Sequence, residues 1–239
     1  MIKQIYFQED FSKLSKSSVE AQKIRALLLA YGTKYDFCRF FASKNLIIAR
    51  FYDDFIISDN GEFDFDELCE FLNFSGFSRI FCSENVGENL RGNLKFNCTK
   101  LNLMSFSGFF SNSDNITYEN LRQLSLYEAY EVLKTSFEID FEPWYLDMSH
   151  RIRHGISQIY GNESSVLVVQ HNLCGEALLS QIATIPEKRG NGRASGLISA
   201  VCSKLCESKI YLLCEDRLLP FYEKIGFEIC GTKYELFRD

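Results

Sequence analysis

The sequence predicts an α/β protein in which short strands alternate with helices. Three observations support this class. Apolar residues recur at helical spacing in several segments, short β-rich runs stand between those segments, and breaks rich in Gly, Asn or Asp separate them. With 239 residues, of which 46% are hydrophobic, the chain has enough apolar material for the core of one large domain or two small ones.

The first half of the chain predicts a helix, a hairpin and a second helix. Ser17-Ser18-Val19-Glu20 has the pattern of a capping box, and a helical apolar pattern follows it up to Gly32. Residues 46–52 and 55–58 are β-rich and are separated by Asp53-Asp54, which predicts a hairpin. The remaining predicted elements are a helix through Phe65, Leu68, Cys69 and Leu72 that ends at Gly76, and strands at residues 79–83 and around residues 94–106.

A change in composition divides the chain. Residues 107–115 consist largely of Ser, Gly, Asn and Asp, which predicts a linker between an N-terminal α/β domain at 1–106 and a second domain at 116–239. Both halves have the order hairpin, helix, strand, short helical piece, strand. We therefore expect a weak internal repeat, although no residue-level repeat is visible.

The second half predicts helices first and then a strand-rich segment. The expected turns are His171-Asn172 between two strands, and Gly226 as a left-handed helix cap. The predicted helices are one through Leu121, Leu124, Tyr127, Tyr130, Val132 and Leu133, one at 144–159, an amphipathic one through Ala194, Leu197, Ile198, Val201, Cys202 and Leu205, and one at 218–225. The predicted strands are 164–170, 175–185, 210–214, and the pair 228–230 and 233–237 around Gly231-Thr232.

Composition excludes several classes of partner and compartment. The net charge of −6 argues against nucleic-acid binding, which needs a basic face, and favours a neutral or cationic substrate. No stretch is long and apolar enough to predict a membrane span, and the start of the sequence has no signal-peptide pattern. We expect a cytoplasmic protein.

The nine cysteines predict neither a disulfide framework nor a metal site. Those at 82, 98, 214 and 230 stand singly inside apolar runs, so we interpret them as reduced core residues. Cys202 and Cys206 are one helical turn apart, but the histidines at 150, 154 and 171 are distant in sequence. We therefore expect no metal.

The segment at 181–196 is the most informative part of the sequence, because a strand enters it and a helix leaves it. The first amides of such a helix point at one spot, where the helix dipole favours an anion. Gly190 and Gly192 would let an anion approach these amides, and Arg189 and Arg193 add positive charge. An ordinary strand-to-helix turn remains an alternative. The glycine spacing fits neither the P-loop nor the dinucleotide-binding motif.

Two motifs in this half resemble those of the GNAT superfamily of N-acetyltransferases. Arg189-x-x-Gly192-x-Ala194 matches the Q/R-x-x-G-x-G/A signature of the family, with Pro186 ahead of it, and residues 220–227 resemble the family's helix ending in Y-E-K-x-G-F. The resemblance covers about residues 116–239. It implies a mixed, mostly antiparallel central sheet flanked by helices.

The resemblance also implies acetyl-CoA as cosubstrate and assigns roles to residues. Amides of the loop would hold the pyrophosphate, the preceding strand end would pair with the pantetheine arm, and Tyr222 would hydrogen-bond or protonate the CoA sulfur. Tyr222 could instead only pack its helix on the sheet. The cofactor-binding residues implied are Ile182, Ala183, Thr184, Arg189, Gly190, Asn191, Gly192, Arg193 and Ala194.

The match weakens at the catalytic base and at one CoA contact. Family members with a carboxylate base on this strand place it where this chain has Leu178; Glu176, on the same face, could position a water or could be a solvated strand end. Glu215 stands where many relatives have asparagine. In the first helical region, which lines the acceptor site in the family, Trp144, Tyr145 and His150 are candidates for substrate binding, although His150 and His154 could be plain surface residues.

The sequence thus predicts acetyl transfer from acetyl-CoA to a primary amine of a small molecule or peptide, by a monomer or homodimer. A catalytically weak acyl-CoA binder or sensor is the alternative, and an interaction module that only keeps the fold is a third. In the first half, the segment at 59–67 carries five carboxylates at a helix start, which would repel a pyrophosphate. We therefore expect a single CoA site, in the second half.

Overall fold

The computed structural model describes residues 1–6, 11, 18–93, 97–108 and 121–238. They form two compact units, one of Met1–Asn102 with Gly231–Asp239 and one of Leu103–Cys230. These bounds differ from the predicted domains, because the chain ends in a strand that returns to the first unit. Most of the predicted linker, residues 109–115, lies outside the described residues.

The first unit is a sheet covered by helices. Its strands follow the order β1-β2-β3-β4-β5-β12, in which β4 and β5 are parallel and the other pairs antiparallel. Buried apolar side chains of the strands pack against the first two helices. The elements are β1 (Lys3–Ile5), α1 (Val19–Tyr31), β2 (Cys38–Ala42), β3 (Leu46–Phe51), β4 (Asp54–Asp59), α2 (Phe65–Ser75), β5 (Arg79–Ser83), α3 (Glu84–Asn93), the start of β6 (Asn97–Phe106) and the end of β12 (Phe227–Phe237).

Helix α1 has Ser18 as its N-cap, one residue later than the predicted capping box would put it, and Gly32 ends it as predicted. The hydroxyl oxygen of Ser18 accepts a hydrogen bond from the amide of Ala21 at 3.1 Å, which satisfies one free N–H of the first turn. Ser17, the other serine of the predicted capping box, lies outside the described residues. At the other end, the amide of Gly32 donates a hydrogen bond to the carbonyl of Leu28.

The hairpin of the first unit turns one residue earlier than predicted. Strand β3 ends at Phe51 and β4 begins at Asp54, so the turn consists of Tyr52 and Asp53, with Tyr52 at a φ of 53°. The predicted Asp53-Asp54 turn is wrong because Asp54 already pairs with Phe51 in the sheet. Strands β1 and β2 are short and were not predicted.

Carboxylates of the first unit are satisfied locally. The side chain of Asp64 caps α2 by accepting the amide of Glu67 at 3.0 Å, and Asp59 accepts a hydrogen bond from the hydroxyl of Ser83 at 2.6 Å. Elsewhere in the unit, buried Glu20 forms an ion pair with Lys233 at 2.7 Å. The amides at the start of α2 thus have an internal anion as partner.

The second unit is also a mixed sheet with helices. The strand order is β12-β6-β11-β10-β9-β8-β7, and β10 and β11 are its parallel pair. Among the pairs of this unit whose register is described, the antiparallel pairs β10–β9, β9–β8 and β8–β7 outnumber the parallel pair, as the resemblance implied. Besides parts of β6 and β12, its elements are β7 (Arg122–Gln123), α4 (Leu126–Leu133), α5 (Phe141–Arg153), β8 (Gln158–Asn162), β9 (Ser165–Leu173), β10 (Glu176–Thr184), α6 (Arg193–Lys204), β11 (Lys209–Cys214) and α7 (Leu219–Ile225), with short 3-10 helices at Pro186–Lys188 and Asp216–Leu218.

The helices α4 and α5 are shorter than predicted because local signals end them. Ser125 and Glu128 form a capping box, so α4 begins at Leu126 and does not include Leu124 as predicted. Helix α5 ends before Gly155, which has a φ of 70°, and the segment predicted as its last turn becomes the start of β8.

Turns among the later strands also differ from the prediction. The β9–β10 turn is Cys174-Gly175, with φ of 54° and 77°, whereas His171 and Asn172 lie within β9 and pair with β10. The predicted turn at Gly231-Thr232 is absent from the structure: β12 runs unbroken from Phe227 to Phe237. Gly226 adopts the expected left-handed conformation.

The two units contain the same series of elements. In the first, β3-β4-α2-β5-α3 includes the parallel pair β4–β5, and in the second, β9-β10-α6-β11-α7 includes the parallel pair β10–β11. This agreement in order and strand direction supports the predicted internal repeat, which remains a hypothesis.

Candidate active site

Strand β10 pairs with β11 over only part of its length. The two strands pair from Glu176 to Leu179 of β10, and within the described residues no further pairing joins them. The register between β10 and β9 shifts between Ser180 and Ala183, where Gln181 has a φ of 45°. At and beyond this bulge, residues 182–184 of β10 line a cleft.

The loop after β10 presents amides to this cleft. Gly190 and Gly192 have φ values of 76° and 71°, a conformation that other residues adopt only with strain. Gly192 is the N-cap of α6 and supplies no side chain to cap the first amides of the helix. The start of α6 is therefore a place where an anion would be stabilised.

Three polar side chains of the loop bind the loop itself or its neighbours. Arg189 donates to the carbonyl of Thr184 at 2.9 Å and to the hydroxyl of Ser136 at 3.0 Å. Arg193 donates to the hydroxyl of Ser164 at 3.1 Å. The side-chain amide of Asn191 donates to the carbonyl of Arg189 at 3.1 Å, so this residue stabilises the loop.

The cleft is a cavity of about 920 Å³. It brings together the end of β10, the loop and α7, which are separate in sequence. Its lining residues are Phe106, Thr135, Ser136, Phe137, Ile182, Ala183, Thr184, Lys188, Arg189, Gly190, Gly192, Arg193, Ala194, Ser195, Ser199, Ser203, Arg217, Leu218, Phe221, Tyr222, Lys224 and Ile225. The charged residues in this wall are all cations, five of them, which suits a polyanionic ligand.

Tyr222 presents a protonated phenol to the cavity. Burial, and then the nearby Cys214, raise the pKa of Tyr222 to about 12. Its ring packs 5.1 Å from that of Phe221 and 5.9 Å from that of Phe227. Its hydroxyl has no hydrogen-bond partner in the described part of the chain, so a ligand in the cavity could accept its proton.

The other candidate catalytic residue lies elsewhere. Glu176 is at the opposite end of β10, buried, and paired in register with Leu173 and Lys209. It does not line the cavity. Leu178, at the position where relatives carry a carboxylate, is buried apolar core.

The three candidate substrate residues on α5 do not line the cavity either. Trp144 donates its indole N–H to the side-chain oxygen of Gln181 at 3.2 Å, which places it on the bulge of β10. Tyr145 is 40% exposed and packs on Phe141. The ring of His150 is tilted by 38° against that of His154, with the ring centroids 4.2 Å apart.

Several cavity residues were missed by the sequence analysis. Ser195, Ser199 and Ser203 recur every four residues on α6 and form a polar stripe, whereas the apolar pattern of this helix marks only the face that packs on the core. Arg217 precedes the motif at 220–227, and Lys224 lies within it but had been given no role. Phe106 and residues 135–137 come from distant segments, and no local pattern marks them.

Two further findings concern metal ions and membranes. Among the described residues, no group of three or more His, Cys, Asp or Glu side chains is arranged to hold a metal ion. None of the helices in the described ranges combines the length and apolarity needed to cross a bilayer.

Comparison with known proteins links this fold to one group of enzymes. No protein-family model and no curated protein sequence matches the chain. Among solved structures, a GNAT-family acetyltransferase from Colwellia psychrerythraea is similar at 12% identity, over 99% of this chain and 98% of its own, with a TM-score of 0.60.

Two GCN5-related N-acetyltransferases are also similar. That from Kribbella flavida has 12% identity over 92% of this chain and 93% of its own, with a TM-score of 0.62. That from Sphaerobacter thermophilus has 12% identity over 100% of this chain and 95% of its own, with a TM-score of 0.56. The chain therefore has a fold similar to that of GNAT acetyltransferases over nearly its whole length.

Proposed function

We propose that the protein is an N-acetyltransferase that moves an acetyl group from acetyl-CoA to a primary amine. The observation that carries the proposal is that the amide-rich loop, the end of β10 and Tyr222 line one cavity. A pyrophosphate fits the start of α6, where amides and cations converge. An extended amide-containing arm fits the edge of β10 at residues 182–184, which line the cavity and do not pair with β11 in the described residues.

Direct transfer follows from these groups. The amine nitrogen forms a bond to the thioester carbonyl carbon, and the tetrahedral oxyanion collapses with cleavage of the carbon–sulfur bond. Tyr222 is positioned to hand its phenolic proton to the departing thiolate, since its raised pKa keeps it protonated at neutral pH. The proton lost by the amine passes to solvent, because no carboxylate lines the described cavity.

A catalytically weak binder or sensor of acyl-CoA is the second candidate. Its support is the position of Leu178 in the core and of Glu176 away from the cavity, which leaves the amine without a nearby base. Turnover of an amine separates the two candidates, since both predict binding of the same ligand.

The first test is calorimetric titration with acetyl-CoA of the wild type and of Gly192→Asp. The substitution places a side chain and a negative charge at the N-cap of α6, and we expect it to abolish binding. Gly175→Asp is the matched control, because Gly175 also has a positive φ of 77° but lies in the β9–β10 turn, outside the cavity wall.

The outcomes separate the proposals. Binding by the wild type and the control, with none by Gly192→Asp, supports the site, and release of CoA with an amine panel then supports catalysis. No binding by the folded wild type would refute both candidates and leave the fold without its ligand.

A further inference from the structure

Helix α5 packs on the core of the second unit by one face and leaves the other face exposed. Met148 is buried in that core, and Trp144 packs against it. On the other side of the helix, Leu146 is 69% exposed and lies beside exposed Tyr145. This side also carries Ser149, one helical turn from both. The exposed side of α5 is therefore apolar at its middle.

A row of aromatic rings extends this apolar surface from α5 onto α4. The ring centroids of Tyr145 and Phe141 are 5.3 Å apart, and those of Phe141 and Tyr127 are 6.3 Å apart. Tyr127, at the far end of the row, is 63% exposed. A continuous exposed apolar patch, unlike single exposed side chains, marks an interaction surface. We call it the α5 outer face, and its residues are Tyr127, Phe141, Tyr145, Leu146, Ser149 and Ile152.

Opposite charges stand at the two ends of the α5 outer face. Glu142 lies in the first turn of α5 and Arg153 in the last. The eleven residues between these positions make three helical turns, so the two side chains share one face about 16 Å apart. Glu142 has no ion pair or hydrogen bond among the described residues. Arg153 donates only to Ser149 of its own helix, at 3.3 and 3.4 Å, so both charges are available to a partner.

We propose that the α5 outer face binds the same face of a second copy of this chain, with the two α5 helices antiparallel across a two-fold axis. In this arrangement Glu142 of one copy pairs with Arg153 of the other. The same register sets Leu146 opposite Ser149, a large side chain against a small one. Both contacts occur twice in the dimer, because a two-fold axis repeats every contact.

The distribution of charge favours a second copy over another partner. A partner of one charge sign would meet a like charge at one end of the face, at Glu142 or at Arg153. An antiparallel copy satisfies both ends, and it also sets the two helix dipoles in opposite directions. None of the residues of α5 lines the cavity, so the dimer is independent of the proposed function.

The test is sedimentation-velocity ultracentrifugation of the full chain over a concentration series at low salt. We expect the wild type to be a dimer at about 100 μM. Glu142→Arg and Arg153→Glu should each raise the dissociation constant of the dimer about tenfold or more, because each brings like charges together twice. The double variant exchanges the two charges and should dimerise to within about threefold of the wild type. Glu207→Arg, the same change at an exposed position after α6, is the control.

A second variant tests the apolar part of the face without touching the ion pairs. Leu146→Glu puts a charge at the middle of the interface and should also raise the dissociation constant about tenfold or more. The substituted side chains are exposed, so folding does not depend on them, and circular dichroism checks the helix content of each variant.

A wild type that stays monomeric at about 100 μM would overturn the proposal. Single variants that dimerise like the wild type would overturn it as well, and so would a double variant as weak as the single ones, since Glu142 would then not face Arg153. Weakening by each single variant with recovery in the double variant supports the antiparallel dimer. The experiment contains no acyl-CoA, so its failure would leave the proposed function standing.

Discussion

The indole N–H of Trp144 donates a hydrogen bond to the side chain of Gln181, the residue that makes the bulge in β10. Gln181 holds a φ of 45°, a strained conformation for a residue with a side chain. The bulge is also where β10 leaves β11 and the cavity opens. Helix α5 thus supports the geometry of the cleft through Trp144, although Trp144 does not line the cavity.

Replacing Trp144 with Phe should loosen this bulge. The hydrogen bond is lost while an aromatic ring remains, so we expect affinity for acetyl-CoA to fall about fivefold, equivalent to about 1 kcal/mol for one hydrogen bond. Titration calorimetry measures the change. Tyr145→Phe, one residue along the helix, should bind like the wild type. Unchanged affinity in Trp144→Phe would show that the contact does not support the cleft.

Replacing Tyr222 with Phe should impair turnover and spare binding. Loss of a general acid is expected to lower kcat about 100-fold, while affinity for acetyl-CoA changes less than about twofold because the ring remains. The measurement is steady-state kinetics together with titration. A variant with wild-type kcat would leave Tyr222 only a packing role.

The pH profile gives an independent check on Tyr222. Its pKa of about 12 lies above the usual value of 10, so the protonated form persists as pH rises and is lost only through the region of pH 12. We expect no loss of kcat from this group below about pH 10. A decline in kcat below pH 10 that is absent from Tyr222→Phe would contradict this assignment.

The cysteines should divide by accessibility toward a thiol reagent. Burial raises the pKa of Cys202 to about 12, and burial with Asp216, Glu215 and Glu223 raises the pKa of Cys214 to about 11. At pH 8 about one in a thousand Cys214 thiols would be ionised, so the buried group should react slowly. Mass spectrometry should show early labelling of the exposed cysteines alone, which are Cys174, Cys206 and Cys230.

Early labelling of Cys214 would contradict this division.

Cys230 was expected in the core because it stands in an apolar run, yet its side chain is exposed. Alternation along a strand decides which residues face the core, and an apolar run does not reveal that phase.

Elements marked by strong local signals could be predicted from the sequence. Gly32, Gly76 and Gly226 ended helices where expected, because few other residues adopt the required backbone conformation. The turns predicted at Asp53-Asp54 and His171-Asn172 lie elsewhere in the structure, because the pairing of the strands determines where each turn falls. Cys174 adopts a left-handed backbone conformation, which a cysteine in the sequence does not predict.

Site residues that belong to a contiguous sequence motif could be named from the sequence, whereas those that distant segments contribute to the cavity wall could not. Residues 182–184, Tyr222 and all the predicted loop residues except Asn191 line one cavity, and the roles that the resemblance assigns to them stay predictions. Glu176 was a candidate because alternation along the strand puts it on the same face as residue 178. Alternation does not indicate, however, at which end of the strand the cleft lies. The bulge at Gln181 determines that position, and a bulge has no reliable sequence signal.

The ion pair between Glu20 and Lys233 should be important for stability of the first unit. Its side chains are 1% and 13% exposed, and removing one partner would leave a buried charge unpaired. We expect Lys233→Met to lower the free energy of unfolding by about 3–5 kcal/mol, and Glu20→Gln with Lys233→Met to recover much of that loss. Urea denaturation measures both.

A matched pair of exposed charges provides the control for this experiment. Lys134 and Glu131 pair at 2.7 Å with both side chains more than 40% exposed, so Lys134→Met should change stability by less than about 1 kcal/mol. A loss for Lys233→Met no larger than that of the control would show that Glu20 finds another partner or reaches water.

Gly226 should tolerate no side chain, because its conformation and its neighbours both exclude one. Its φ is 100°, and an added Cβ would lie 2.8 Å from the Cα of Gly108. Its carbonyl also accepts a hydrogen bond from the amide of Ser107 at 2.9 Å, so the backbone has little room to move. Gly226→Ala should destabilise the protein by about 2–3 kcal/mol.

Gly155→Ala separates backbone strain from the close approach. Gly155 has a φ of 70° but nothing within 4 Å of an added Cβ, so its substitution should cost only about 1 kcal/mol. Since Gly226 caps the helix that carries Tyr222, Gly226→Ala should also lower kcat, whereas Gly155→Ala should not. Equal unfolding midpoints for the two variants would mean that the strand beside Gly226 shifts to admit the methyl group without strain.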